Sequence, residues 1–294
     1  MIYEQISANK RRSFALIFLF VIFLLFLGWV FGEAYQAGTQ GLIIALLIAL
    51  FITLITFYHG DKMLLGISHA RLVDRKENPY LANVVEGLAI AAGVPAPKAY
   101  IIEDSAPNAF ATGRDPKNSS IAVTTGLLEK MNRLELEGVV AHEMSHIKNY
   151  DIRYAMLVAI LVGTVALVSD GMRRSFFFRG RKDRKGGAGG GIIILIALVL
   201  AILAPIIAQL IRLAISRQRE YLADANGALL TRYPEGLASA LEKISKDTEP
   251  LEVANKATAH LYIVNPLLEH RGKLNDLFSS HPPVEERIRR LRSM

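Results

Sequence analysis

The chain has 294 residues, 52% hydrophobic and 21% charged, with a formal net charge of +7 and no cysteine. A mean hydropathy of +0.30 beside so many charges requires the apolar residues to be gathered into segments. Disulfides and thiolate metal sites are excluded, so a metal would have to be held by His, Asp or Glu.

In chain order, the first such segments are 14–31 (FALIFLFVIFLLFLGWVF) and 42–58 (LIIALLIALFITLITFY), both uncharged. At ~1.5 Å per residue they span roughly 25–27 Å, which matches the hydrocarbon core once the flanks are counted. The first is too long for a cleaved signal peptide, no clear small-residue cleavage site follows it, and a second apolar run comes at once. The pair reads as a transmembrane hairpin. Lys10, Arg11 and Arg12 precede it, the loop 32–40 carries only Glu33, and Lys62, Arg71, Arg75 and Lys76 follow. The positive-inside bias places the N-terminus and everything after Tyr58 in the cytoplasm.

Residues 78–92 have helical spacing and stop at Gly93-Val94-Pro95. Residues 98–103 and 119–125 are short β-branched runs, with 108–113 between them, which predicts a small sheet. Residues 133–150 (RLELEGVVAHEMSHIKNY) read as a helix. Two further apolar segments follow, 155–168 and 192–211, flanking the basic loop MRRSFFFRGRKDRKGGAGGG. If both cross, that loop lies outside, against the charge rule; a hairpin that packs on the protein or only dips into the bilayer agrees with it better. Either way residues 59–154 and 212–294 share a compartment. Helices are expected again at 213–230, 237–246 and 284–292.

This divides the chain into an anchor (1–58), a first globular part (59–154), a hydrophobic hairpin (155–211) and a second globular part (212–294). The positive charge gathers at 173–185 and 287–292 without a nucleic-acid signature, so no nucleic-acid partner is expected. Anionic lipid head groups suit the first cluster better.

His142-Glu143-x-x-His146 lies on the helix 133–150. Residues i and i+4 share a face, so two imidazoles can meet one ion while Glu143 reaches a water on it. A catalytic zinc needs a third protein ligand and an open position. The metzincin spacing would put that ligand at Ile152 and a glycine at Asn149, so that subclass is excluded. In SRQREYLADANGA (216–228), Glu220 and Asp224 are again i and i+4. One of these carboxylates can bind the ion while the other accepts the outer N–H of a ligating histidine. His59, His69, His260 and His270 suggest structural or solvated roles.

AHEMSHIKNYD, SRQREYLADANGA and SSHPPVEERIRRL, in that order after a hydrophobic hairpin, resemble the HtpX-type membrane zinc metalloproteases, relatives of the CAAX prenyl proteases. The resemblance covers essentially the whole chain. It implies a mainly α integral membrane protein of the bacterial inner membrane, with a cytoplasmic α+β gluzincin-like domain containing a small sheet. It also implies one zinc ion on His142, His146 and Glu220, Glu143 as general base, and Asp224 bound to a ligating histidine. The segment 107–113, including Asn108, Ala109, Phe110 and Ala111, would pair with the substrate backbone, Asn108 near the scissile bond. His281 would help to hold the oxyanion. The implied substrates are unfolded or misassembled membrane proteins. Two other classes stay open: a membrane scaffold without catalysis, and a metal-dependent hydrolase of lipidated substrates.

Overall fold

The computed structural model describes residues 2–34, 37–164, 216–255, 258–264 and 282–294. The segment 192–211, the basic cluster 173–185 and His281 lie outside the described residues.

Helix α1 (Ile2–Ala34) and helix α2 (Thr39–Ile67) form the expected hairpin, and both are long and apolar enough to cross a membrane. Phe18, Leu47 and Phe51 are exposed along their flanks, as side chains meant for lipid would be. The helices touch at small residues. A Cβ on Gly28 would lie 2.1 Å from Ala45 Cβ, and one on Gly41 would lie 2.7 Å from Gly32 Cα. Close approach of this kind is how helices gain packing contacts where no hydrophobic drive is available.

Helix α2 runs past its apolar stretch into the globular part, where Leu64 and Leu65 pack with Ile102, Phe110 and Tyr262. A two-residue strand β1 (Arg71–Leu72) follows, which the sequence does not announce. Helix α3 (Pro79–Ala92) begins where the Asn78 side chain accepts from Leu81 N–H and ends at Gly93, whose φ of 69° is the left-handed stop expected there. Strands β2 (Lys98–Ile102), β3 (Ala109–Asp115) and β4 (Asn118–Thr124) complete a mixed sheet of order β1-β2-β4-β3. β4 pairs parallel with β2 and antiparallel with β3, leaving β3 at the edge.

After the short helix α4 (Thr125–Lys130) comes α5 (Arg133–Lys148), opened by a capping box between Asn132 and Glu135. α5 is the centre of the fold. Leu136, Val139, Val140, Met144 and Ile147 are buried in one cluster with residues of α3, the sheet and the later helices. Residues 151–164 form a further helix, α6. Tyr154, Leu157, Val158 and Leu161 of α6 pack against Leu16 and Phe20 of α1. The described part of the third apolar segment is therefore turned to protein, not lipid.

Helices α7 (Arg217–Thr231), α8 (Pro234–Lys246) and α9 (Val284–Arg292) close the body around α5. Two glycines set the spacing. A Cβ on Gly138 of α5 would lie 2.6 Å from Leu237 N, and one on Gly227 of α7 would lie 3.1 Å from His142 N. The second contact brings α7 directly onto the helix that carries the histidine pair.

Candidate active site

Helical spacing places His142 and His146 on one face of α5 with their rings edge to face, centroids 4.8 Å apart and Nε2 atoms 3.2 Å apart. Glu220, Asp224 and Gly227 share a face of α7, and the close approach at Gly227 delivers both carboxylates to the histidines. Glu220 Oε2 lies 3.7 Å from His142 Nε2, and Glu220 Oε1 lies 3.6 Å from His146 Nε2. One ligand atom from each of the three residues falls within 4.8 Å of the others. Donors bound tetrahedrally at ~2.0–2.1 Å sit roughly 3.3 Å apart, so this two-nitrogen, one-oxygen set fits an ion such as zinc.

The outer nitrogens are held as well. His142 Nδ1 lies 2.9 Å from Asp224 Oδ1, and His146 Nδ1 lies 3.1 Å from Asp151 Oδ2. Each ring can donate its outer N–H to a carboxylate, which fixes the tautomer that turns Nε2 inward. Asp224 is in turn gripped by Arg287 of α9, with Nε to Oδ2 at 2.9 Å and Nη2 to Oδ1 at 2.7 Å. Arg287 is fully buried and also donates from Nη1 to Ile263 O at 3.0 Å.

Glu143 is buried beside the pair and accepts a hydrogen bond from the backbone of Ala111. The outer edge of β3 therefore runs along the site. Next to it, Ile263 N–H donates to Ala109 O at 3.0 Å, so part of that edge is already paired within the chain. Asn108 is buried, its amide donating to Val264 O and accepting from Ala109 N–H. The cavity over the ligands measures about 40 Å³ and is lined in part by Ala111, Glu143, His260 and Tyr262. That volume admits an ion's water.

A family model, Peptidase family M48, matches residues 75–294. The chain belongs to peptidase family M48. Two relatives in sequence match over nearly their whole length. A "Protease HtpX homolog" of Dictyoglomus turgidum is 51% identical over 99% of this chain and 94% of its own. Another, from Thermoanaerobacter pseudethanolicus, is 46% identical over 100% and 98%. The crystal structure of S. mikatae Ste24p covers 98% of this chain and 67% of its own with a TM-score of 0.52 at 20% identity, a likeness of fold. With its two apolar helices, this M48 chain is a membrane metalloprotease.

Charge is sorted unevenly over the M48 site. Burial lowers His142 to about 4, assisted by the Arg287 charge against the pull of Asp224. For His146, burial also lowers, but the hydrogen bond to Asp151 and the charge of Glu220 outweigh it and hold the ring at about 9. Burial pushes Glu143 up to about 7, with His146 opposing and Glu220 assisting. For Asp224 burial acts upward, and the charge and hydrogen bond of Arg287 overcome it to leave the carboxyl at about 2. The metal-free site thus holds a proton between the two rings at neutral pH, and metal uptake must expel it.

The sign follows from His146 lying above its ordinary value. Below about pH 9 the metal-free ring is cationic, so affinity falls as pH falls; above it no proton remains to be displaced. Calorimetric titration with zinc at pH 8, in two buffers of different ionisation enthalpy, should show about one proton released per ion from this group. The share from His146 should be about half at pH 9 and fade as pH rises further, leaving only what zinc-bound water gives up.

Three site residues escape sequence reasoning. Asp151 sits at the end of AHEMSHIKNYD but just outside the helix. Arg287 looks like one more member of a basic cluster, yet it recurs with Leu291 at i+4 on the apolar stripe of α9, and that periodicity was the available signal. His260, read as structural or solvated, is buried and lines the cavity, with Nε2 3.2 Å from Ala155 O.

Proposed function

We propose that the chain is a zinc-dependent endopeptidase that hydrolyses unfolded or misassembled membrane proteins at the cytoplasmic face of a bacterial inner membrane. The observation that carries this reading is the convergence of His142, His146 and Glu220 on one point, with Glu143 buried beside them. Bound there, zinc supplies Lewis acidity and lowers the pKa of a ligated water toward ~7. His142, His146 and Glu220 hold the ion, and Asp224 orients the His142 ring.

Glu143 takes a proton from the attacking water as the water oxygen bonds to the scissile carbonyl carbon. It then passes that proton to the amide nitrogen as the C–N bond breaks, so no covalent enzyme intermediate is required. His281 assists the developing oxyanion in this scheme. An extended substrate adds alongside β3, from Asn108 through Ala109, Phe110 and Ala111, where backbone pairing recognises a chain with little demand on its sequence. Residues 263–264 must yield for the full length of that edge to be used. The basic segment 173–185 meets anionic lipid.

The test is cleavage by the detergent-purified chain of an unfolded protein and, separately, of a lipidated peptide. Unfolded protein should be cut, chelation should abolish the cutting, and zinc should restore it. A zinc-loaded chain that cuts neither would favour a scaffold, and one that cuts only the lipidated peptide would move the substrate class to lipidated chains.

A further inference from the structure

We infer that Asn9, on the first apolar helix, is a positioning residue for the metal site: it holds Asp151, and Asp151 holds the His146 ring. This rests on the metal-site reading above. Asn9 is buried, and its Nδ2 donates to Asn149 O at 2.9 Å and to Asp151 Oδ1 at 2.7 Å. The other oxygen of Asp151 faces His146 Nδ1 at 3.1 Å. One amide hydrogen is thereby spent on the two-residue link between α5 and α6 and the other on the first residue of α6, which needs a donor pair on one nitrogen. That link turns through Tyr150 in a left-handed conformation, φ 61°.

Neighbouring contacts hold α1 in place for this. Ser13 Oγ donates to Asn9 O at 2.9 Å, and the Lys10 ammonium lies 4.3 Å from the centre of the Tyr150 ring. Arg219 Nη1 also reaches Asp151 Oδ1, but at 3.5 Å. The shorter, directional contact on that oxygen is the one from the membrane helix. A buried asparagine could instead serve only to dock α1. The two roles differ in what else they move. A docking role affects stability and any contact of α1 alike. A positioning role acts through Asp151 and is felt as metal retention.

The experiment measures zinc release to a chelator from the full detergent-purified chain, in a Glu143→Gln background so that self-cleavage does not interfere. Asn9→Ala should release zinc about tenfold faster, the lower end of what loss of a ligand-orienting partner costs. Asn9→Asp, which sets an anion against Asp151, should be at least as fast. In an Asp151→Ala background Asn9→Ala should add nothing, because the residues act in series. Leu16→Ala, which loosens α1 from Tyr154 and Leu157 without touching Asn9, should leave release unchanged. Equal effects of Asn9→Ala with and without Asp151, an equal effect of Leu16→Ala, or no effect of Asn9→Ala would overturn the proposal. His146→Ala separates the two levels. If it retains zinc normally, the metal-site reading itself fails; if it loses zinc while Asn9→Ala does not, only the role of Asn9 fails.

Discussion

Glu143→Gln is expected to abolish proteolysis by a factor of ~10²–10⁴ while leaving zinc content unchanged. The substitution keeps the size of the side chain and its acceptor oxygen facing the Ala111 backbone, but removes the group that can take a proton. Glu143 is not among the three residues whose ligand atoms converge, so the ion should be held as before. Burial already brings this carboxyl to about 7, near the pH at which a general base must exchange protons. A dication on the facing histidines favours its ionised form. Zinc analysis beside a cleavage assay reads both halves. Activity retained by the variant would remove Glu143 from the chemistry, and zinc lost with activity would make it a structural residue.

The second large effect is expected at Arg287. This guanidinium has no exposed surface, and it binds Asp224 through two nitrogens and Ile263 through a third. Arg287→Met leaves Asp224 as a buried anion facing a single histidine, at a cost of about 3–5 kcal/mol. Metal retention should fall too, because Asp224 then has no fixed orientation to impose on His142. Arg287→Lys should recover little, since a point charge cannot reproduce a paired grip on a carboxylate. Combining Arg287→Met with Asp224→Asn should destabilise less than Arg287→Met alone, because the unpaired charge is gone. Thermal unfolding in detergent, with zinc content measured on the same samples, checks the series. A well-folded Arg287→Met chain with full zinc would sink the argument.

The parts of this molecule governed by local rules were readable in the sequence. Apolar runs of membrane length gave α1 and α2, the Asn78-Pro79 start and Gly93 stop bounded α3, and the i,i+4 spacing of His142 and His146 gave the face of the site. Gly227, seven residues after Glu220 on the same face, shows its role only in the structure, where it sets how near α7 can come to α5. What was not legible depends on contacts made across long stretches of chain. Asn9 reaches Asp151 over 142 positions, and Arg287 reaches His142 over 145. No periodicity within either segment names the partner. β1 is two residues long, too short for any alternation to show, and exists only because β2 offers an edge. His260, read as structural or solvated, is buried against Ala155 O, and its place at the cavity was not legible for a related reason: its stretch has no motif, and only the folding of 259–263 brings it there.

The distance between His142 and Arg287 has a consequence for how the protein is made. Chains begin to fold while they are being synthesised, N-terminal parts first. A growing chain therefore carries the HEMSH helix for 145 positions before the arginine that orients its first histidine has been translated. Asp224 arrives in between, an anion without its counter-charge. Until α9 docks, nothing fixes Asp224 from behind, and the order of synthesis makes the orientation of His142 one of the last features of the fold to be set.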